Sequence, residues 1–194
     1  MDTESSREMH LSPRESYIEQ LRRIKPLDEH EEKDIAETMY WLKSAGHIHK
    51  PDNMKQHLGV LTQVLSPDRE SVYLINHKKA QMWLPPGGHV DKDVLLQEAV
   101  KSEVREELNT EAVFIDENCF FHTRTLTQGS NAGHIDVTYW FMLEGDPNIE
   151  YKVQEKEATG SKWFNIQELL DNPDFSHLHR SLRKIQNICE DKKS

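Results

Sequence analysis

Apolar residues recur at helical spacing in the first quarter of the chain. The spacing predicts two helices, whose apolar positions are Tyr17, Ile18, Leu21 and Ile24 in the first and Ile35, Met39 and Leu42 in the second. Asp28, followed three residues later by Glu31, forms an N-cap pattern for the second helix. Residues 1–12 are polar and lack periodicity, so we expect a disordered tail there. The two helices therefore form an N-terminal helical extension over residues 13–50.

From residue 57 onward the pattern changes to strand-like runs of apolar and β-branched residues. These runs cover residues 58–65, 71–75, 112–115, 119–126 and 135–143. A short helix after Asn165 and an amphipathic helix after His179 close the chain. The order of elements, with a predicted helix between the strand runs, indicates an α+β fold over residues 55–190. In this fold a mixed sheet is sandwiched between helices, an α/β/α arrangement.

The helix predicted in the middle of the strand region follows a turn, Pro85-Pro86-Gly87-Gly88. Two prolines and two glycines let the chain reverse sharply and expose its backbone groups. Asp91 or Asp93 is expected to cap the start of the helix, because a short carboxylate accepts from free N–H groups. Asn109 is expected to end it, because asparagine tolerates the left-handed conformation of a C-cap.

One edge of this helix is acidic. At about 100° per residue, Glu103, Glu106 and Glu107 fall within an arc of roughly 100°, beside an apolar stripe. Like charges at this spacing repel, and a hard divalent cation would remove that cost, since Mg²⁺ prefers carboxylate oxygens. A solvated acidic face is the ordinary alternative. The preceding turn and the adjacent apolar stripe favour a metal site.

The stretch from Trp83 to Thr110 resembles the Nudix box, G-x5-E-x7-R-E-U-x-E-E-x-G-U with U apolar. Gly88 takes the first glycine, and the E-U-x-E-E core falls on Glu103, Val104, Glu106 and Glu107. The resemblance implies Mg²⁺ or Mn²⁺ as the cofactor. The predicted metal ligands are Gly88, Glu103, Glu106 and Glu107, and the predicted catalytic residues are Glu103, Glu106 and Glu157.

The chain departs from this pattern at Val94, Ser102, Asn109 and Thr110, where the family has glutamate, arginine, glycine and an apolar residue. In the family the arginine helps to orient the glutamates, and the first glutamate supports the metal site. These departures bear on catalytic efficiency rather than on the fold. Asp91 and Asp93 are near enough in sequence to substitute in part.

A second acidic segment, Gln154-Glu155-Lys156-Glu157, precedes a strand through Trp163-Phe164. This order also resembles the closing part of many Nudix domains, where a loop glutamate often completes the metal site or acts as general base. Glu157 is the predicted residue and Glu155 the second choice. A solvated loop charge is the alternative.

Clustered carboxylates that hold a divalent cation suit hydrolysis of a phosphoanhydride bond. The resemblance implies that the substrate is a small molecule, a nucleoside diphosphate linked to another moiety. Trp83, Tyr139 and Trp140 are candidates to grip a base, although each also suits the core.

Two other functions stay open. One is a Nudix-fold ligand-binding or sensor domain with weakened catalysis, for which Val94 and Ser102 are the evidence. The other is a Nudix-fold isomerase of isoprenoid diphosphates, which needs a cysteine in its pocket. Cys119 is the cysteine outside the last helix, and its surroundings do not resemble that motif.

The charge and composition of the chain limit the kinds of binding partner that we expect. The chain has 194 residues and a net charge of −10, which argues against general nucleic-acid binding, because that needs a basic face. No apolar run is long enough to span a bilayer, so we expect no membrane partner. Cys119 and Cys189 form no disulfide framework, which suits a cytoplasmic location. The N-terminal helices must pack on the main domain or on a second copy, so a homodimer is one expected arrangement.

Overall fold

The computed structural model describes residues 11–127, 133–154 and 156–191. The helices are α1 (Pro13–Arg23), α2 (Glu29–Ser44), α3 (Leu96–Leu108), α4 (Ile166–Asp171) and α5 (His179–Asp191), with a 3-10 segment at Pro173–Leu178. The strands are β1 (Gln56–Leu65), β2 (Ser71–His77), β3 (Met82–Leu84), β4 (Gly87–His89), β5 (Phe121–Leu126), β6 (Ile135–Glu144) and β7 (Ala158–Asn165). None of the described helices is long and apolar enough to cross a membrane.

The strands form one mixed sheet within the described residues. Its main order is β3-β2-β1-β6-β5, with β4 paired to β1 and β7 paired to β2. The central pair, β1 and β6, is parallel, and the other pairs are antiparallel. Helices cover both faces of this sheet, which confirms the predicted α+β fold of the α/β/α type.

Side chains on successive strand residues alternate between two cores. On β1, Leu58, Val60 and Val64 face the core that contains the apolar stripe of α3. Leu65 belongs to the other core, with Leu182 and Ile185 of α5. The acidic helix and the C-terminal helix therefore lie on opposite faces of the sheet.

The two N-terminal helices are well capped. Ser12 caps α1 in a capping box with Glu15, and the Asp28 carboxylate accepts from the N–H of Glu31 at the start of α2. Residues 1–10 of the predicted tail lie outside the described residues. Arg14 joins the two helices, because its guanidinium donates to the carbonyl oxygens of Leu42 and Ala45 at 3.1 and 2.8 Å.

A buried ion pair ties α2 to α5. The Lys184 ammonium lies 2.6 and 2.7 Å from the two carboxylate oxygens of Glu31. Glu31 is fully buried and also accepts from the backbone N–H groups of Leu27 and His122. The N-terminal helices therefore pack on the main domain, which is one of the two arrangements expected from the sequence. A homodimer stays a prediction.

The sequence prediction placed the start of α3 too early. The helix begins at Leu96, and its N-cap, Leu95, makes no side-chain capping bond, so neither Asp91 nor Asp93 caps it. Asp93 instead has a left-handed backbone with φ of 63°. The predicted end is confirmed, because Asn109 has φ of 52° and ψ of 42°.

Candidate active site

The turn before α3 presents backbone groups to the acidic helix. The N–H of Gly87 donates to Glu107 Oε2 at 2.8 Å. Gly87 has φ of +152°, and a Cβ there would lie 2.1 Å from the carbonyl oxygen of Val60. Only glycine permits this approach of the turn to β1.

Gly88 lies against a carboxylate of the same helix. A Cβ at Gly88 would lie 2.2 Å from Oε1 and 2.8 Å from Oε2 of Glu103. Gly88 is paired with Val60 across β1 and β4, so the sheet fixes its position. The structure thus brings the backbone at Gly88 and the side chain of Glu103 into contact.

Glu103 is half-buried, and the pKa of its carboxyl group is higher than that of an ordinary glutamate. Burial raises its pKa to about 7, and the carboxylates of Glu106, Glu157 and Asp91 add to the shift in that order. The cause is loss of solvent around a charge that also has like charges beside it.

Glu107 is almost fully buried, with 3% of its surface exposed. Burial raises its pKa to about 8, the bond from Gly87 N–H works in the opposite direction, and Glu103 and Glu157 raise it further. A buried carboxylate with one donor and like-charged neighbours favours either a proton or a cation.

Glu106 is the exposed member of the three. Its Oε1 accepts from the hydroxyl of Ser102 at 3.0 Å. Ser102 is the residue that stands where the Nudix box has arginine. A serine can orient one carboxylate in this way but adds no positive charge.

Two acidic residues from outside the helix join this cluster. Glu157 and Asp91 are close enough to raise the pKa of Glu103. Glu157 precedes β7, and its carbonyl accepts from Lys78 N at 2.8 Å, which ties its loop to the end of β2. Glu155, the second choice, lies outside the described residues.

Val94, which stands where the Nudix box has its first glutamate, packs against the core on the α3 side. Its carbonyl accepts from the hydroxyl of Tyr17. The charge of Asp93 acts on Tyr17 and His49 instead of on the glutamates. Of the two aspartates considered as substitutes, Asp91 is therefore the one beside Glu103.

The donor set suits a hard divalent cation. Carboxylate oxygens at high density, with pKa values raised by burial and mutual repulsion, are stabilised by Mg²⁺ or Mn²⁺. Among the described residues, the glutamates do not form a compact group of three ligand atoms ready to hold an ion.

Of the aromatic and thiol side chains considered as site residues, Trp83 is half-buried and the others are buried in the core. Tyr139 and Trp140 are buried in the core, whereas Trp83 is half-buried, edge-on to Phe164, with the Lys162 ammonium 5.6 Å from its ring. Cys119 is 3% exposed, and burial raises the pKa of its thiol, which makes it inert as a nucleophile or acid. The isomerase alternative is therefore left without a reactive cysteine at this position.

The sequence analysis missed a second group of candidate metal ligands. His57, His89 and Asp136 have ligand atoms that all lie within 4.8 Å of one another. The three residues come from β1, β4 and β6, and no local motif links them. The signal available in the sequence was a histidine or an aspartate at a strand end, which is too common to be specific.

Comparisons with known proteins point to one family. The NUDIX domain family matches residues 55–184. Nudix hydrolase 6 from Arabidopsis thaliana is 25% identical over 145 residues, which cover 72% of this chain and 49% of that protein. The chain thus spans about half the length of this curated relative.

Solved structures share the fold. An Ap4A hydrolase binary complex from C. elegans has a TM-score of 0.56 at 17% identity, covering 69% of this chain and 97% of that one. A MutT protein from Methanosarcina mazei Go1 has a TM-score of 0.53 at 18% identity, covering 71% and 95%. At these identities the likeness concerns the fold alone.

Proposed function

Because the chain belongs to the Nudix family, we propose that it is a divalent-metal-dependent hydrolase of a phosphoanhydride bond. Its substrate would be a nucleoside diphosphate linked to another moiety. The observation that carries this proposal is the position of Glu103 against Gly88 and of Glu107 on the N–H of Gly87, with the charge of Glu157 near enough to raise the pKa of both carboxyl groups. These residues come from a turn, a helix and a distant loop.

Gly88, Glu103, Glu106 and Glu107 would hold Mg²⁺ or Mn²⁺. When bound, the ion would neutralise the diphosphate oxygens and lower the pKa of a bound water. Without metal, burial and the neighbouring carboxylates raise the pKa of Glu103 to about 7, so a bound cation would stabilise its charged form. One of the glutamates would act as general base toward the bound water. The N–H of Gly87 donates to Glu107, and the charge of Glu157, in the segment before β7, raises the pKa of Glu107.

The second candidate function is a ligand-binding or sensor domain with weakened hydrolysis. Ser102 favours it, since this residue contributes a neutral hydroxyl to Glu106 where the family has a cationic side chain. Val94 also favours it, because an apolar core residue supplies no carboxylate. A ligand that raises the melting temperature without being turned over would select this alternative.

A phosphate-release screen tests the proposal directly. The substrates are nucleotide sugars, dinucleoside polyphosphates and nucleoside triphosphates, each with Mg²⁺ and with Mn²⁺. Dinucleoside polyphosphates belong in the screen because one structural neighbour is an Ap4A hydrolase. Turnover of one class in the presence of metal supports the hydrolase. Tight binding of one class without product supports the sensor.

A cytoplasmic location and the absence of nucleic-acid partners stay predictions.

Divalent metal is expected to raise the melting temperature by an amount that grows with pH. The folded pKa values of Glu103 and Glu107, about 7 and about 8, are raised above the ordinary 4.5. Their contribution to stability is therefore fully present below pH ~4.5 and is lost as the pH rises through 7 and 8. Mg²⁺ offsets this loss, so its effect should be small near pH ~5 and large near pH ~8.5.

Differential scanning fluorimetry with Mg²⁺ and with EDTA at each pH measures this difference. The double variant Glu103→Gln/Glu107→Gln is the control and should lose the growth of the metal effect with pH. Turnover should stop in excess EDTA. Full activity in EDTA, or a metal effect that does not change with pH, would contradict the metal site.

Ser102→Arg is expected to raise activity or metal affinity. Ser102 is exposed, so an arginine fits there, and its charge lies on the same helix face as Glu106. A guanidinium can hold a carboxylate through two parallel bonds. Ser102→Ala, which removes the hydroxyl alone, is the matched control. The measurement is kcat and the Mg²⁺ dependence of the rate. A loss of both with Ser102→Arg would mean that this position belongs to a differently built site.

A further inference from the structure

A group of imidazole and carboxylate side chains lies away from the glutamate cluster. His57 of β1, His89 of β4 and Asp136 of β6 meet at the beginning of the two central parallel strands. His57 Nε2 lies 3.3 Å from Asp136 Oδ1. The rings of His57 and His89 have centroids 4.7 Å apart.

This group faces away from α3. Leu58 and Val60 of β1 and Val137 of β6 point into the core on the α3 side. Because strand side chains alternate, His57 and Asp136 point to the opposite face. Gly88 faces Glu103, so its neighbour His89 also points to the opposite face. The sheet therefore separates the two clusters.

The tautomer of His57 leaves a lone pair aimed at the group. Its Nδ1 lies 3.1 Å from the carbonyl oxygen of Asn53. A carbonyl only accepts, so Nδ1 carries the proton and Nε2 does not. His57 is fully buried, and neither Nε2 nor Asp136 Oδ1 has a hydrogen-bond partner among the described residues. Two buried acceptors thus face each other, which is unfavourable unless a cation lies between them.

A proton is the weaker candidate for that cation. His57 is fully buried, and burial lowers its pKa, which favours the neutral ring. Neutral imidazole is the form that binds metal ions.

We propose that His57, His89 and Asp136 form a binding site for a transition-metal ion of the Zn²⁺ class. Two imidazoles and one carboxylate supply three ligands and leave a fourth position open, which is a coordination that Zn²⁺ adopts. Imidazole ligands also distinguish this site from the all-oxygen glutamate cluster, which suits Mg²⁺.

The geometry needs only a small contraction. Ligand atoms around tetrahedral Zn²⁺ lie about 3.4 Å apart, and the His57–Asp136 pair already lies at 3.3 Å. The widest pair lies within 4.8 Å, and His89 has an exposed side chain at the end of a short strand, so it can move. His134 borders the site, since its ring stacks on His57 and its Nε2 lies 3.2 Å from Asp136 Oδ1 without forming a hydrogen bond.

The test measures binding of the metal alone to the full chain. The protein is stripped with EDTA and desalted, and Mg²⁺ is added in excess to fill the glutamate cluster. Zn²⁺ is then titrated by calorimetry, and Co²⁺ by visible absorption, where a tetrahedral site gives intense bands. One Zn²⁺ per chain is expected, with micromolar or tighter affinity and a tetrahedral Co²⁺ spectrum.

The variants locate the ion. Asp136→Asn and His89→Gln should each weaken Zn²⁺ binding by about 100-fold or more, because loss of a mere supporting contact already costs 10–100-fold. Both side chains are partly exposed, and circular dichroism checks that the variants fold. His47→Gln is the control, since His47 forms an exposed pair with Asp52 at 3.7 Å, and it should bind as the parent does.

Glu103→Gln separates this proposal from the proposed function. It should leave Zn²⁺ binding unchanged even if it abolishes turnover. The site would be overturned by absence of Zn²⁺ binding in the parent protein. It would also be overturned if binding survived Asp136→Asn and His89→Gln, or if it were lost in Glu103→Gln, because the ion would then lie elsewhere.

Discussion

Replacing Glu103 with glutamine is expected to lower turnover by about 100-fold or more, the scale of losing a positioned base or a key electrostatic contact. Glutamine keeps the size of the side chain but removes the basic oxygen. Glu103 lies against Gly88, and burial beside other carboxylates raises its pKa to about 7 in the metal-free protein, so its position and charge suit a bound cation. The measurement is kcat on the substrate class that the phosphate-release screen identifies.

Stability should respond in the opposite direction. Without metal, Glu103→Gln should raise the melting temperature or leave it level at alkaline pH, because a half-buried charge beside Glu106 and Glu157 has gone. Glu98→Gln is the matched control on the same helix. Glu98 is exposed and paired with Lys101 at 2.7 Å, so its loss should change neither turnover nor stability by much. Equal behaviour of the two variants would mean that the acidic edge is merely solvated.

Lys184→Met is expected to destabilise the protein by about 3–5 kcal/mol, because it leaves the buried carboxylate of Glu31 without its counter-charge. Glu31 is fully buried, and Lys184 is 5% exposed. The variant should also loosen the N-terminal helices from α5, since this pair joins the two segments. Urea unfolding measures the free energy, and hydrogen exchange over α2 measures the loosening.

The double variant Glu31→Gln/Lys184→Met should recover part of the loss, because it removes both charges. Leu27 N–H and His122 N–H now donate to different carboxylate oxygens of Glu31, and the single glutamine oxygen can accept from one of them. Lys25→Met is the control, because Lys25 lies 4.0 Å from Asp191 with 92% of its side chain exposed. It should shift stability by less than about 0.5 kcal/mol. A double variant as unstable as Lys184→Met would show that packing, and not charge, is the cause.

Features written in consecutive residues were predictable because their physics is local. The turn at 85–88, the acidic edge of α3 and the left-handed C-cap at Asn109 follow from backbone preferences and helical period. The start of α3 was predicted wrongly at Asp91 or Asp93. Several residues in that stretch can cap a helix. Where the helix begins depends on tertiary contacts of the segment before it, such as the bond from the Tyr17 hydroxyl to the carbonyl of Val94.

Sequence alone determined the class of fold, the three glutamates on one helix edge and the Asp28 cap of the second N-terminal helix, because each depends on periodicity or on neighbours a few residues apart. Tertiary structure alone decided which charges lose their solvent. Glu107 is buried and accepts from the N–H of Gly87. Glu31 pairs with Lys184, which is 153 residues away in the chain, and His57 lies beside Asp136 on a paired strand. Burial and long-range pairing are properties of the packed sheet and helices, and a pattern of residue types along one chain does not contain them.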